Sequence, residues 1–246
     1  MSMSERNVGG TQVEGRRAVL ELLRARRRLV QEVWCQRRAV DEEIVQVAAS
    51  VGVRVREVSE STFRERASSF QPQGVLAIAE PLRSRALDEL VGADALLLVL
   101  DRIQDPQNLG AMLRSAAGAG VSGVILPERR GALVTPAVTK VASGAVEYLD
   151  FAVVAGIPNA LAFLQKHGVW TVGLAAEADT VLAESNLLTE PLALVVGAEG
   201  DGLARLTRQR CDLLVKIPMA PSVASLNASA ATAVALFTIA GARRGG

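Results

Sequence analysis

The sequence predicts an α/β protein in two parts: a doubly wound parallel-sheet domain over residues 95–246, preceded by a smaller α/β domain over residues 11–80. Three features carry this reading. From Ala95 onward, continuous apolar runs alternate with helical stretches: ALLLVL (95–100), GVIL (123–126), FAVVA (151–155), VWTVGLAA (169–176), LALVV (192–196) and LLVKI (213–217). Strands buried on both faces of a parallel sheet read this way. Before residue 80, shorter strand-like and helix-like patterns alternate over about 70 residues. Between the two parts, residues 81–94 are polar and punctuated by Pro81, as expected of a linker.

Taken in order, residues 1–10 (MSMSERNVGG) lack the apolar core of a signal peptide and read as a short disordered leader. Residues 13–27 have helical spacing, with Val19, Leu20, Leu22 and Leu23 on the apolar side. A strand is expected over 29–34, a helix over 40–49, a strand over 53–58, a helix over 60–69 and a strand over 75–79. Aromatic residues are only 3% of the 246, so the interior is expected to pack small aliphatic side chains closely, and stacking platforms for bases are scarce. The stretch 223–242 is long enough to span a bilayer but carries Ser225, Asn227, Ser229, Thr232 and Thr238, so it reads as a buried helix of a soluble protein without a membrane partner.

Composition also limits the chemistry. Cys35 and Cys211 are far apart and have no Cys or His partners at metal-ligand spacing, which argues against a disulfide framework or a zinc site and for a reduced, cytoplasmic setting. No Ser-His-Asp, Cys-His or paired-carboxylate set assembles, which disfavours hydrolysis; His167 reads as a helix C-terminal residue. Net charge is +1, which alone does not mark a nucleic-acid binder, but residues 1–40 hold nine Arg against four Glu. Only Lys140, Lys166 and Lys216 are lysine. Arginine's planar fork suits phosphate, although a general preference for Arg explains the same count.

In open parallel sheets, ligands sit beyond the carboxyl ends of the strands, and three loops there carry unusual residues. In 101–120, Asp105 and Pro106 suit the cap and first position of a helix. Arg114 follows in a stretch otherwise too apolar for a solvated face, so an anionic partner is expected, carboxylate or phosphate. In 195–203, Gly197, Gly200 and Gly202 permit close backbone approach to a ligand. That loop lacks the dinucleotide G-x-G-x-x-G spacing, and Glu199 within it would repel a pyrophosphate. In 215–229, Pro218 and Pro221 stiffen the loop, Ser225 is placed to cap the Ala-rich helix, and Asn227 reads equally as a competing cap or as a chemical group.

Together DPQNLGAMLRSAAGAG, LALVVGAEGDGL and IPMAPSVASLNASAA resemble the three motifs of the SpoU family of RNA 2′-O-ribose methyltransferases, in the trefoil-knotted SPOUT class. The likeness extends to AVTKVASGAVEYLDF (137–151) and VWTVGLAAEADTVL (169–182), and VEGRRAVLELL (13–23) resembles the start of a ribosomal-protein-L30e-like substrate-binding domain. It is nearest to the bacterial members that methylate a guanosine in the P loop of large-subunit rRNA. Pro221 stands where the family usually has Gly, and Ala228 and Ala230 where it often has Val.

The resemblance implies S-adenosylmethionine as methyl donor, held around Gly197, Ala198, Gly200, Ile217, Met219 and Leu226. It assigns Arg114 to the acceptor side, with Asn108, Glu199, Ser225 and Asn227 orienting ribose, cofactor and Arg114. It also implies RNA as substrate, with Arg16, Arg17 and Arg114 as contacts, and a metal-free homodimer whose active site draws Arg from one protomer and the cofactor loops from the other. The motifs leave tRNA, a resistance-conferring rRNA adenosine, or a non-catalytic ribosome-assembly protein open. A nicotinamide oxidoreductase would need a glycine turn after the domain's first strand, and LDRIQDPQN is not one.

Overall fold

The computed structural model describes residues 7–69, 72–129, 131–220, 222 and 225–245. The chain divides into two compact units, one of residues 84–132 and 149–246, the other of residues 7–83 and 133–148.

In the smaller unit β1 (Gln12–Glu14), β2 (Val30–Gln36), β3 (Arg54–Val58) and β4 (Val75–Ala79) form a sheet in the order β1-β4-β2-β3. The helices α1 (Arg16–Ala25) and α2 (Glu42–Ser50) bury Leu22, Leu23 and Ile44 against Val33, Cys35, Val75 and Ala77. The helix α3 (Glu60–Arg66) sets Phe63 against Leu76 and Val58. The short β1 escaped the sequence pattern because three residues carry no period, and its charged Glu14 is fully buried.

That carboxylate accepts from Gln12 Nε2 (2.5 Å), Ser68 N (2.6 Å), Ser68 Oγ (2.8 Å), Ser69 N (2.9 Å) and Ser69 Oγ. Burial pushes its pKa up, but the hydrogen bonds from Ser69 and Ser68 outweigh burial and hold it below the ordinary 4.5. A lowered folded-state pKa stabilises fully above the unfolded value and is lost as pH falls through the folded one. Glu14→Gln is therefore expected to lower the urea midpoint at pH 7 and to flatten its decline below about pH 4.5. Parallel acid profiles for the two proteins would overturn this.

Residues 133–148 fall inside the span expected to be the sheet domain, yet they complete the smaller unit. There α5 (Pro136–Val141) packs on β1 and α1. Gly144 sits at φ +80°, where a Cβ would stand 3.0 Å from Ala18 Cα. Glu147 is buried in a bidentate pair with Arg28, at 2.6 and 3.0 Å. Of the expected leader, residues 1–6 lie outside the described residues, whereas residues 7–10 are built in: Val8 is fully buried and donates its N–H to Leu82 O (2.7 Å). The stretch expected as a linker is also tied down. Arg83 pairs with Asn7, Arg85 donates to Phe151 O (2.6 Å) and bonds Asp150 (2.9 Å), and Leu90 enters the larger core.

The larger unit contains β5 (Leu96–Asp101), α4 (Pro106–Ala119), β6 (Gly123–Pro127), β7 (Asp150–Val154), α6 (Ile157–Lys166), β8 (Trp170–Leu174), β9 (Thr180–Val181), β10 (Leu192–Gly197), α7 (Arg205–Arg210), β11 (Leu213–Lys216) and α8 (Ala228–Gly245). Its sheet runs β7-β6-β5-β10-β8-β11-β9, and every pairing among the described residues is parallel. All six apolar runs became strands; the two-residue β9 was not foreseen, being too short to show a period. On one face α6 covers Leu97, Val99 and Val195; on the other α4 and α8 pack together.

α8 departs from the fully buried helix expected: Ala235, Leu236 and Ile239 face inward, but Val234 and Phe237 are 45% and 49% exposed. Its far end is stapled by Arg243, which donates to the carbonyls of Leu188 (3.1 Å), Asp94 (3.0 Å), Ala95 (3.1 Å) and Glu190. Among the described residues no helix is long and apolar enough to cross a membrane.

Candidate active site

The strand order places β10 between β5 and β8, so the carboxyl ends of these three strands open side by side. A cavity of about 490 Å³ lies over the ends of β8, β10 and β11. It is lined by Gly197, Ala198, Glu199, Gly200, Ile217, Met219, Ser225, Leu226 and Asn227, and by Leu174–Glu177 and Arg208.

The wall at 197–202 is set by backbone closure. Gly202 N–H donates to Ala198 O (2.9 Å), and a Cβ on Gly197 would stand 2.1 Å from the Gly202 carbonyl carbon. Any side chain at 197 would pry the turn open. Asp101, at the end of β5, holds the same turn by accepting from Ala204 N–H (2.8 Å), and Arg102 donates to Gly202 O (3.2 Å) from a backbone φ of +64°. Sequence reasoning passed over both residues; the only signal was a charged pair directly after a wholly apolar strand.

Three of the marked polar residues meet at the rim. Asp105 caps α4 by accepting from Asn108 N–H (2.9 Å), which leaves the Asn108 amide free to turn outward. Its Nδ2 donates to Glu199 Oε2 (3.0 Å), while Asn227 Nδ2 donates to Asn108 Oδ1 (3.0 Å) and to the same Glu199 oxygen (3.3 Å). Asn227 is also the cap of α8: its Oδ1 accepts from Ser229 N (2.8 Å), Ser229 Oγ (2.6 Å) and Ala230 N (3.4 Å). Asn227 thus caps the helix through one atom of its amide and joins the rim cluster through the other. Ser225, expected as the cap, lies three residues before the helix begins and lines the cavity instead.

Arg114 does not join this cluster. It is exposed on α4 and has no ion pair or hydrogen bond among the described residues, so the anionic partner expected for it is not in this chain's described part. Arg16 and Arg17 are both paired, with Asp41 at 2.5 Å and Glu21 at 3.0 Å. Pro221 lies outside the described residues. Burial pushes the Cys35 thiol up to about 11 and the Cys211 thiol up to about 12, so neither is a thiolate nucleophile near neutral pH.

Residues 95–237 match the SpoU rRNA Methylase family, and residues 12–85 match the family described as RNA 2′-O ribose methyltransferase substrate binding. The chain belongs to the SpoU rRNA methylase family. Within it, the chain is 41% identical over 238 residues to the 23S rRNA (guanosine-2′-O-)-methyltransferase RlmB of Shewanella oneidensis, covering 94% of this chain and 96% of that one. Its identity to the Haemophilus influenzae RlmB is 46% over 202 residues, covering 80% and 82%.

Among solved structures, the SpoU methyltransferase AviRb of Streptomyces viridochromogenes, crystallised with AdoMet, has the same fold, with a TM-score of 0.81 at 23% identity over 96% of this chain and 91% of that one. An RNA 2′-O ribose methyltransferase is 29% identical with a TM-score of 0.78, covering 95% and 88%. The SpoU-family match spans all three loops that build the cavity and its rim.

Proposed function

We propose that this chain transfers the methyl group of S-adenosylmethionine to the ribose 2′-hydroxyl of a guanosine in 23S rRNA. The observation that carries the reading is the amide–carboxylate cluster of Asn108, Glu199 and Asn227 at the rim of the cavity over β8, β10 and β11. RlmB relatives at 41% and 46% identity support the rRNA guanosine.

The cavity fits the cofactor. Its volume of about 490 Å³ lies within the range of small-molecule sites, and its wall is a backbone turn with a glycine at its closest approach. Gly197, Ala198, Gly200, Ile217, Met219 and Leu226 would hold it. S-adenosylmethionine bound there supplies a sulfonium methyl open to in-line attack. The protein's work is then placement, because a ribose hydroxyl is a very weak acid and a poor nucleophile until held in line. Glu199 is fixed by two amides, and Asn108 is fixed in turn by Asn227, so the rim presents a rigid acceptor face, with Ser225 beside it.

The planar, cationic fork of Arg114 grips the phosphate next to the reacting ribose, which helps take up the proton. Its lack of a partner among the described residues, with Val234 and Phe237 exposed on the neighbouring α8, supports a homodimer in which Arg114 of one protomer serves the cavity of the other. An rRNA substrate supports a cytoplasmic setting.

Mapping ribose methylation in rRNA from a strain lacking the gene tests the reading. One 23S guanosine is expected to lose its 2′-O-methyl group and regain it on complementation. An unchanged 23S map would overturn it.

A further inference from the structure

The two arginines of the smaller unit that the sequence marks for RNA are neutralised by Asp41 and Glu21, whereas cations on the other face of the same sheet are not. α1 and α2 cover the face that carries Val33 and Cys35, and strand alternation puts Trp34, Arg54 and Arg56 on the opposite one. Trp34 is half-buried against the Phe63 and Leu76 cluster. The guanidinium carbons of Arg56 and Arg66 lie 5.4 and 5.7 Å from its ring centroid, within cation–π range.

Arg54, Arg56 and Arg66 are exposed and have no ion pair among the described residues. Of the carboxylates on this face, Glu14 is buried under its serine donors, and Glu32 forms no ion pair among the described residues. The indole Nε1 of Trp34 is buried without a hydrogen-bond partner among the described residues. This leaves a net cationic, aromatic patch among the described residues, with the three guanidiniums set against the carboxylate of Glu32, which stands beside Arg54 in the sheet.

We propose that the Trp34–Arg56–Arg66 face grips an unpaired stretch of the RNA substrate, with the guanidiniums on phosphates and an unstacked base laid on the arginine–tryptophan stack. Unpaired RNA bases stack on aromatic rings and on guanidinium planes, and single strands bind where such platforms line a cationic surface. An acidic peptide would satisfy the charge but would leave the stacking surface unused. The inference rests on the reading of the substrate as RNA.

The test uses the full chain with Trp170→Phe, so that Trp34 is the only tryptophan of the two. An unpaired oligoribonucleotide of 23S sequence is expected to quench Trp34 fluorescence saturably, with polyglutamate inert. Arg56→Ala/Arg66→Ala is expected to weaken that RNA about tenfold and to lower the slope of log K against log salt by about 1.4, the value for two single-strand phosphates. Its affinity for S-adenosylmethionine by calorimetry should be unchanged, and Arg16→Ala/Arg17→Ala should cost less.

Unchanged RNA affinity and slope in the double variant, with methylation intact, would sink this proposal alone. Quenching by polyglutamate and not by RNA would overturn it in favour of an acidic peptide. A wild-type protein that binds S-adenosylmethionine but neither binds nor methylates RNA would remove the functional reading and this proposal with it.

Discussion

Replacing Arg114 with alanine is expected to slow methyl transfer to rRNA by about 10³-fold, a loss of about 4 kcal/mol of transition-state stabilisation. Cofactor affinity should be unchanged. The two readouts separate because Arg114 stands on α4, is not among the residues lining the cavity, and has no partner that its removal would orphan. Single-turnover transfer of a tritiated methyl measures the first, and calorimetry with S-adenosylmethionine the second. Arg114→Lys keeps the charge but loses the planar fork, so its rate should fall between the two. Mixing Arg114→Ala protomers with Asn227→Ala protomers should restore activity that neither has alone, if the site is shared between copies. An active Arg114→Ala protein would remove the mechanism.

Asn227→Asp separates the two jobs of one side chain. Aspartate caps a helix as well as asparagine does, so Ser229 and Ala230 keep their acceptor, and at pH 6, where the new carboxyl can be protonated, the melting temperature should stay within about 2 °C. The Nδ2 donor is lost, however, and a second carboxylate is placed where an amide stood 3.3 Å from Glu199 Oε2. Two carboxylates that close share a proton, and the pKa of one rises. Transfer is expected to fall about 10²-fold at pH 8 and to recover in part towards pH 6, because protonation removes the repulsion and restores a donor. Asn227→Ala should lose the same activity and in addition about 1 kcal/mol of stability, the usual cost of a cap. Wild-type activity in Asn227→Asp at pH 8 would show that the amide does no more than cap.

What the chain discloses before folding follows the length over which each signal repeats. Six apolar runs of four residues or more each became a strand, whereas β1 and β9, at three and two residues, left no pattern to read. Asn108, Glu199 and Asn227 stand out in the sequence as polar residues in loops of small ones, and the structure brings these three together, without Arg114. Which of them touch was not legible, since Asn108, Glu199 and Asn227 are separated by 91 and 28 residues and meet only through the order of the sheet. Arg114 was read as needing an anion within reach, an inference sound for a buried arginine, but it is an exposed one. Ser225 and Asn227 were both eligible caps, and only the helix start at Ala228 decides between them.

The passage of residues 133–148 into the smaller unit has a consequence for synthesis. Domains usually fold in the order in which they leave the ribosome. Here the amino-terminal unit has its apolar core in residues 13–79 but lacks its closing pieces: with residues 1–94 emerged, α1 has no Gly144 turn beside it and Arg28 has no Glu147 to pair with. Its closing pieces arrive only after β5, α4 and β6 have been made. A stop before residue 133 therefore leaves both units unfinished, and the nascent chain finishes its start from its middle.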